Sequence, residues 1–466
     1  MNTPPSIAKE SRFDWPLCHD AENFVLHRLQ AFTEQNRFCR RLEERMLAET
    51  GTLLLDWVDH LVVPFQEQKA LRGLGFVEDP LGETPAHLKA FWHPEAMLPR
   101  VLLEREPATV SAAPSVLAVR CEAVADFIVA HGIAHEPEGM PLSRYRRLLV
   151  SEENGTRFEA VERRGYRGYV PARSAGEVEG LLQAAELWRT RPRHFATDAE
   201  GFRQTHLLLD RLLELIGRDL VCHVVFAGER AYWQSRNHAA QVQKARQDQL
   251  GLGWANHDHH TFRSSRQHFL DLMLALEKLG FERRERYYAG AQAGWGAQIL
   301  EQLVEGIVAF CDVDLEPAET GIDFSRQPLP PSRRLGTIGL WVGLHGESFL
   351  DAGLHHLECR FDYALLRDQL ASCGVNTMKA FSDFPFLKQA FTEGERWPVR
   401  RERAERLRQQ SLIDEAQFQQ FVSQGALGSH LENLQRKGGF KGFNQKSVSV
   451  IIQATDPRAE DFKFQI

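Results

Sequence analysis

One unit is written three times along this 466-residue chain, and that repetition constrains the fold more than any other feature. Ser115-Val116-Leu117-Ala118-Val119-Arg120 leads into a helical pattern from about Glu122 to Ala130, closed by Gly132-Ile133. His259 to Arg263 leads into a helix carrying Phe269, Leu272, Met273, Leu276 and Leu279, closed by Gly280-Phe281. Leu354-His355-His356-Leu357-Glu358-Cys359-Arg360 leads into a helix with Leu365, Leu366 and Leu370, closed by Gly374-Val375. Each unit is thus a short strand, an arginine, a helix of about three turns and a terminating glycine, the residue suited to the left-handed position after a helix. Ser265 and Asp362 are the N-caps expected for the last two helices. More strand material follows, including Tyr145 to Val150, an Asn154-Gly155 hairpin turn, Arg286 to Tyr288, Ala297 to Leu300 and Ser447 to Ile452. A unit of this size cannot bury its apolar face alone and must pack against another. The expected class is α+β, with repeated βαβββ modules forming a concave mixed sheet around a pocket.

The rest of the chain frames these units. Phe24, Leu26, Leu29, Phe32, Leu53, Leu54, Leu55 and Val58 are spaced as on helices, and so are Leu181 to Leu187 and Leu207 to Leu213. The expected division is a helical N-terminal region (1–98), a degenerate βαβββ module (99–172), a helical segment (173–250) and a metal-binding module A (251–312). A linker rich in proline (313–334) then precedes a module B with a helical insertion and a C-terminal strand (335–466). A net charge of −7 argues against a dedicated nucleic-acid binder. No apolar run reaches membrane-spanning length, and the N-terminus lacks an apolar leader. Seven cysteines without a CxxC pair indicate neither a zinc ribbon nor a disulfide framework, so a cytoplasmic location is expected.

Asn256-His257-Asp258-His259-His260-Thr261-Phe262-Arg263 concentrates the candidate chemistry. On a strand, His257, His259, Thr261 and Arg263 share one face, while Asp258, His260 and Phe262 share the other. With the units aligned on Arg120, Arg263 and Arg360, the position four residues upstream holds Val116, His259 and His356. Imidazole is the commonest protein ligand for a catalytic divalent metal. Equivalent strands of paired modules could present these two histidines to one pocket. Satisfied structural histidines are the competing reading.

These motifs resemble the vicinal oxygen chelate superfamily, which includes glyoxalases and extradiol dioxygenases built from paired βαβββ modules around a divalent metal. They are also similar to the narrower family of 2-oxoadipate dioxygenase/decarboxylases, or hydroxyglutarate synthases. The matching segments are His259 to Arg263, His356-Leu357-Glu358-Cys359-Arg360 and Gly51-Thr52-Leu53-Leu54. The resemblance implies iron(II) on His259 and His356, and Arg263 on the carboxylate of a 2-oxo acid. The family's third ligand is a glutamate, whereas Asn444-Gln445-Lys446-Ser447 offers amides at the best local match. Strand geometry supplies a substitute. Glu358 lies two residues beyond His356 on the same face, roughly 7 Å away along the backbone. Its alternative role is an ion pair with Arg263 or Arg360. Gln445 and Glu301 are further candidates for the third place.

The expected function is therefore a metal-dependent enzyme acting on a small 2-oxo or 2-hydroxy acid. Iron(II)-dependent oxidative decarboxylation or dioxygenation, with O2 as co-substrate, is the first reading. Manganese, zinc or nickel would instead suit an isomerase or lyase, with Arg263 and Arg360 as the catalytic anion-holding pair. A non-catalytic carboxylate binder on the same sheet is the alternative. Gly438-Gly439-Phe440-Lys441-Gly442 is read as a turn or a lid, Gln298 as packing or pocket lining, and Arg400 to Gln424 as solvated helix.

Overall fold

The computed structural model describes residues 15–104, 113–172, 177–288, 294–332, 334–444, 452 and 455–458. Two open mixed sheets dominate it, and each is made from two modules joined through their first strands. The first sheet has seven strands in the order β2-β3-β4-β1-β5-β7-β6. Its leading module runs β1 (Val58–Val63), the short helix α3 (Gln68–Gly73), β2 (Val77–Glu78), β3 (Leu88–Trp92) and β4 (Arg100–Glu104). Its second runs β5 (Val116–Arg120), α4 (Val124–His131), β6 (Tyr145–Glu153) and β7 (Thr156–Arg163). Helices α1 (His19–Gln35) and α2 (Arg37–Arg45) close one core over this sheet, with Phe32, Leu61, Val63, Leu117, Phe127 and Phe158 buried together.

The helical reading of residues 1–98 is corrected here, since 58–104 form a complete βαβββ module. The cause is physical. Leu61, Val62 and Val63 are all buried, because helices cover one face of β1 and the cup on the other face is filled as well. Such a strand shows no polar alternation and is easily confused with part of a buried helix. The module's helix, with six residues, is too short to announce itself by periodicity. The stretch 113–163 has the expected strand and helix, and Gly132 takes the left-handed cap at φ 62°. The Asn154-Gly155 hairpin turn has positive φ at both residues, as a primed turn requires.

Four helices then cross to the second half: α5 (Val178–Arg189), α6 (Asp198–Ile216), α7 (Arg218–Gln234) and α8 (His238–Asp248). The second sheet has nine strands. Eight follow the order β13-β14-β16-β12-β8-β11-β10-β9, and β15 pairs with β16 beside them. Module A is β8 (His257–Arg263), α9 (Phe269–Lys278), β9 (Glu282–Tyr288), β10 (Trp295–Gln302) and β11 (Ile307–Asp314). A crossover follows, with the apolar helix α10 (Thr337–His345) on its far side. Module B begins with β12 (His356–Arg360) and α11 (Tyr363–Ser372). It continues through β13 (Ser382–Phe384), β14 (Leu387–Phe391) and β15 (Glu395–Trp397) to an insertion of α12 (Arg401–Gln409) and α13 (Glu415–Gln424). The module is closed by β16 (Ala426–Arg436). The expected strand Ser447–Ile452 lies outside the described residues except for Ile452, which is buried against Trp295, Phe391 and Phe443.

In all four modules the first strand runs parallel to the last, and the two first strands of each sheet run antiparallel to each other. Helices α5–α9 and α11 bury the convex face of the second sheet, where Phe226 meets Phe262 and Phe281 at centroid distances of 5.9 and 5.1 Å. That packing leaves the concave face free to carry polar side chains.

Candidate metal centre

The antiparallel join of β8 and β12 creates the site. Register places His356 opposite Thr261 and Glu358 opposite His259, while the parallel β12–β16 pair sets Glu358 beside Glu432. Side chains two apart on each strand therefore point into the same cup. His259, His356 and Glu432 are all buried, and one donor atom from each lies within 4.8 Å of the others. His356 Nε2 stands 3.0 Å from Glu432 Oε2. Two donors at right angles on an ion with bonds of about 2.1 Å would be separated by roughly 3.0 Å. His259 turns Nδ1 toward Glu358 Oε1 at 2.9 Å and Asp258 Oδ1 at 3.4 Å. Its Nε2 is thereby left for an ion, the arrangement by which a carboxylate orients a ligating imidazole.

A second set, Asp258, His259 and Glu358, also meets the distance condition. It has a cation of its own. Arg436 forks onto Asp258 at 3.1 and 3.2 Å and lies 3.7 Å from Glu358. Burial alone would raise the Asp258 carboxyl, but Arg436 and His259 outweigh it and hold it far below the usual range. The Asp258 group is thus a compensated ion cluster behind His259. On the His356 side, burial and then the neighbouring Glu358 push the Glu432 carboxyl well above its normal range. Gln389 Nε2 donates to both carboxylates at 3.0 Å. Burial, followed by His259 and His430, keeps His356 far below its ordinary value, so its ring is neutral and in the ligating form. Burial would also lower His259, yet Glu358 and Asp258 outweigh it and raise the ring. Two imidazoles and a carboxylate sunk beside another carboxylate form a donor set that fits a divalent cation, and two-His-one-carboxylate is the facial set used for non-haem iron(II).

The cup opens as a cavity of about 480 Å³ including its mouth, walled by Phe310, Phe381, Phe391 and Phe443. Arg263 and Asp312 also line it, in register on β8 and β11. Arg263 is 1% exposed; its Nη2 reaches Thr455 Oγ1 at 3.4 Å, and its Nε and Nη1 have no hydrogen-bond partner. Burial lowers its guanidinium to about 10, even with Asp312 nearby.

The residues singled out in the sequence are distributed as follows. His259, His356, Glu358 and Arg263 meet in this cavity, with Glu358 on the Nδ1 side of His259. Arg360 is outside its lining; its guanidinium stands 3.8 Å from Asp56 and 4.0 Å from Asp258. Glu301 pairs with Lys441 at 2.9 Å and belongs to neither ligand set. Gln445 lies outside the described residues. His257 bonds the Trp254 carbonyl at 2.9 Å, and His260 is packed edge-on against Phe226 at 5.0 Å. His355 lines the cavity while its Nδ1 holds the Gly428 carbonyl at 3.1 Å. Gln298 donates to the Glu285 and Ile299 carbonyls, a packing role. Glu432, Gln389 and Asp312 were absent from the sequence reading. The signal for Glu432 was faint: in Ser429-His430-Leu431-Glu432-Asn433-Leu434 the apolar residues fall three apart and do not alternate as on a half-buried strand, and the segment follows an insertion that disrupts the spacing of the repeat.

No protein-family description and no curated protein matches the chain. Solved structures do overlap with it. A 4-hydroxymandelate synthase variant from Streptomyces coelicolor is 14% identical, over 87% of this chain and 98% of its own, at a TM-score of 0.28. A Mn(II)-bound glyoxalase from Novosphingobium aromaticivorans is 11% identical over 84% of each chain at 0.20. Methylmalonyl-CoA epimerase from Mycobacterium tuberculosis is 14% identical over 39% of this chain and 87% of its own at 0.22. Overlaps this loose leave the chemistry to be read from the residues themselves. What those residues show is a pair of βαβββ modules with a buried His–His–Glu set between them.

Proposed function

We propose that this chain is a metal-dependent enzyme acting on a small 2-oxo or 2-hydroxy acid, with His259, His356 and Glu432 as the ligands. The observation that carries the reading is the coexistence, in one apolar cavity, of that donor set and the Arg263 guanidinium, whose Nε and Nη1 have no hydrogen-bond partner. A divalent ion held there supplies Lewis acidity and, if it is iron(II), redox chemistry toward O2 for oxidative decarboxylation. The remaining work belongs to the protein. Arg263 forks onto the substrate carboxylate and fixes its orientation. Phe310, Phe391 and Phe443 exclude water from the reacting face, and Asp258 and Glu358 hold the His259 ring in place. Manganese, zinc or nickel in the same ligand set would favour isomerase or lyase chemistry.

The test is metal content after anaerobic reconstitution with iron(II), followed by oxygen uptake with a panel of 2-oxo acids. We expect about one ion per chain in the wild type, and less than about a tenth of that in His356→Ala or Glu432→Gln, since each removes one of three ligands. Stoichiometric metal in either variant, with its circular dichroism unchanged, would refute the ligand assignment.

A further inference from the structure

Arg263 has a companion that the proposed function does not use. Asp312, 2% exposed, faces it across the β8–β11 pair, with Oδ2 3.8 Å from Arg263 Nε. That is too long for a hydrogen bond. Asp312 Oδ1 and Arg263 Nε and Nη1 are all left without partners, so two buried ionisable groups face the cavity half-satisfied. Unpaired buried polar atoms are costly, and their survival in matched positions calls for a ligand that completes them.

Resting on the reading of Arg263 as a carboxylate clamp, we propose that Asp312 takes up one proton from solvent when a substrate carboxylate binds. The empty clamp is a cation beside an anion. An entering carboxylate claims the guanidinium and would stand next to a second anion. A proton on Asp312 removes that repulsion and lets its O–H donate to the bound carboxylate, so the charge of the clamp is the same before and after binding. Asp312 is thereby a positioning and specificity group: the closed clamp accepts a monoanionic carboxylate together with a proton.

The surroundings support this direction. Burial raises the Asp312 carboxyl to about 7, in spite of Arg263 and His259 on β8. Asp314, on the same strand and likewise raised by burial to about 6, is already occupied by the backbone N–H groups of Gly336, Ile338 and Gly339. Asp456 is engaged by Thr337 and Arg458. His345 on α10, His355 and His430 are kept down by burial to neutral rings and offer no charge to Asp312. Ala297, opposite Asp312 on β10, is apolar. Asp312 is thus an acid open to the cavity and poised to change protonation near neutrality, whereas Glu432, the other raised acid of the lining, belongs to the proposed metal set and is taken up by the ion in the loaded protein. Above pH 7 it is ionised in the free protein and must gain a proton on binding; at pH 5.5 it already holds one.

The experiment is titration calorimetry of the Mn(II)-loaded full chain with 4-methyl-2-oxopentanoate, in two buffers of different ionisation enthalpy, at pH 8.2 and 5.5. We expect uptake near one proton at the higher pH and near zero at the lower, with affinity falling up to about tenfold per pH unit above 7. Asp312→Asn should bind with no uptake at either pH and with affinity independent of pH; Asp312→Thr gives the same readout if the asparagine variant fails to fold. Binding by the wild type without proton uptake at pH 8.2, or uptake that persists in both variants, would overturn the proposal and leave the clamp reading intact. A metal-loaded wild type that binds no 2-oxo acid would remove the clamp reading and this inference together.

Discussion

The two sheets of this molecule share one topology and treat their concave faces in opposite ways. In the first sheet the cup is plugged. Arg163 forks onto Asp59 at 2.6 and 2.8 Å, donates to the carbonyls of Tyr166 and Gly168, and lies between the rings of Tyr145 and Tyr169 at 4.6 and 4.8 Å. His60 completes the cluster, with Nδ1 2.7 Å from Asp59. Burial would raise the Asp59 carboxyl, but Arg163 and His60 outweigh it and hold it well below the usual range. In the second sheet Arg263 leaves two nitrogens unpartnered, Asp312 leaves an oxygen, and two histidines converge on Glu432. Both cups contain arginine, aspartate and histidine. The distinction is satisfaction: where every charge has found its partner the cluster is structural, and where matched charges remain half-paired inside a cavity the fold has kept room for a ligand.

That contrast is most sharply tested at the plug. Removing one member of a buried, fully paired cluster strands the other, at a cost of about 3–5 kcal/mol. Arg163→Met should therefore lower the denaturant midpoint substantially, and the measurement is equilibrium unfolding followed by fluorescence. Metal stoichiometry of the folded fraction should not change. A variant as stable as wild type would mean that Asp59 and His60 rearrange without strain, and that the first cup is not held by this pair.

A smaller effect separates the two carboxylates of the second cup. Glu358 faces Nδ1 of His259 and shares its set with Asp258, while Glu432 faces Nε2 of His356, so the proposed function takes Glu432 as the ligand and Glu358 as the partner that orients His259. Glu358→Gln should weaken metal affinity roughly 10- to 100-fold while leaving one site per chain, the size of effect seen when an orienting partner is lost. Competition with a chelator of known affinity reads this directly. Abolished binding in Glu358→Gln together with retained binding in Glu432→Gln would exchange their roles.

The same contrast explains what could be read from the amino-acid order. His259, His356 and Arg263 were legible because strand alternation and the repeat register are local properties. Modules A and B were legible for the same reason. Glu432 was not, because α12 and α13 separate it from β14 and it comes beside Glu358 and His356 only once β16 is laid parallel to β12. Glu358 illustrates the limit of face arguments: it shares a face with His356, as alternation demands, yet which nitrogen of which ring it meets depends on the antiparallel register with β8. Arg360 aligned with Arg263 in the repeat, but its guanidinium turns to Asp56 and Asp258. The module at 58–104 stayed hidden because its central strand is buried on both faces.

The smallest effect concerns how the plugged half supports the open one. The turn at Gly438-Gly439, next to the segment carrying Phe443 and Asn444 over the cavity, is pinned by the first half of the chain. Glu22 of α1 accepts the Gly438 and Gly439 amides at 2.7 and 3.0 Å, and the Cys18 and Met97 amides donate to the carbonyls of the same two glycines. Both glycines have positive φ, at 67° and 58°, which a side chain would disfavour. Glu22→Ala removes an ionised acceptor and leaves two amides to solvent, which should cost on the order of 1–2 kcal/mol. Hydrogen exchange at the Gly438 and Gly439 amides should accelerate, while metal stoichiometry stays at that of the wild type. If exchange at these two amides is unchanged, the carbonyl contacts from Cys18 and Met97 suffice to hold the turn. If metal is lost as well, the first sheet is a structural part of the metal centre, and the division into a plugged half and a working half would have to be redrawn.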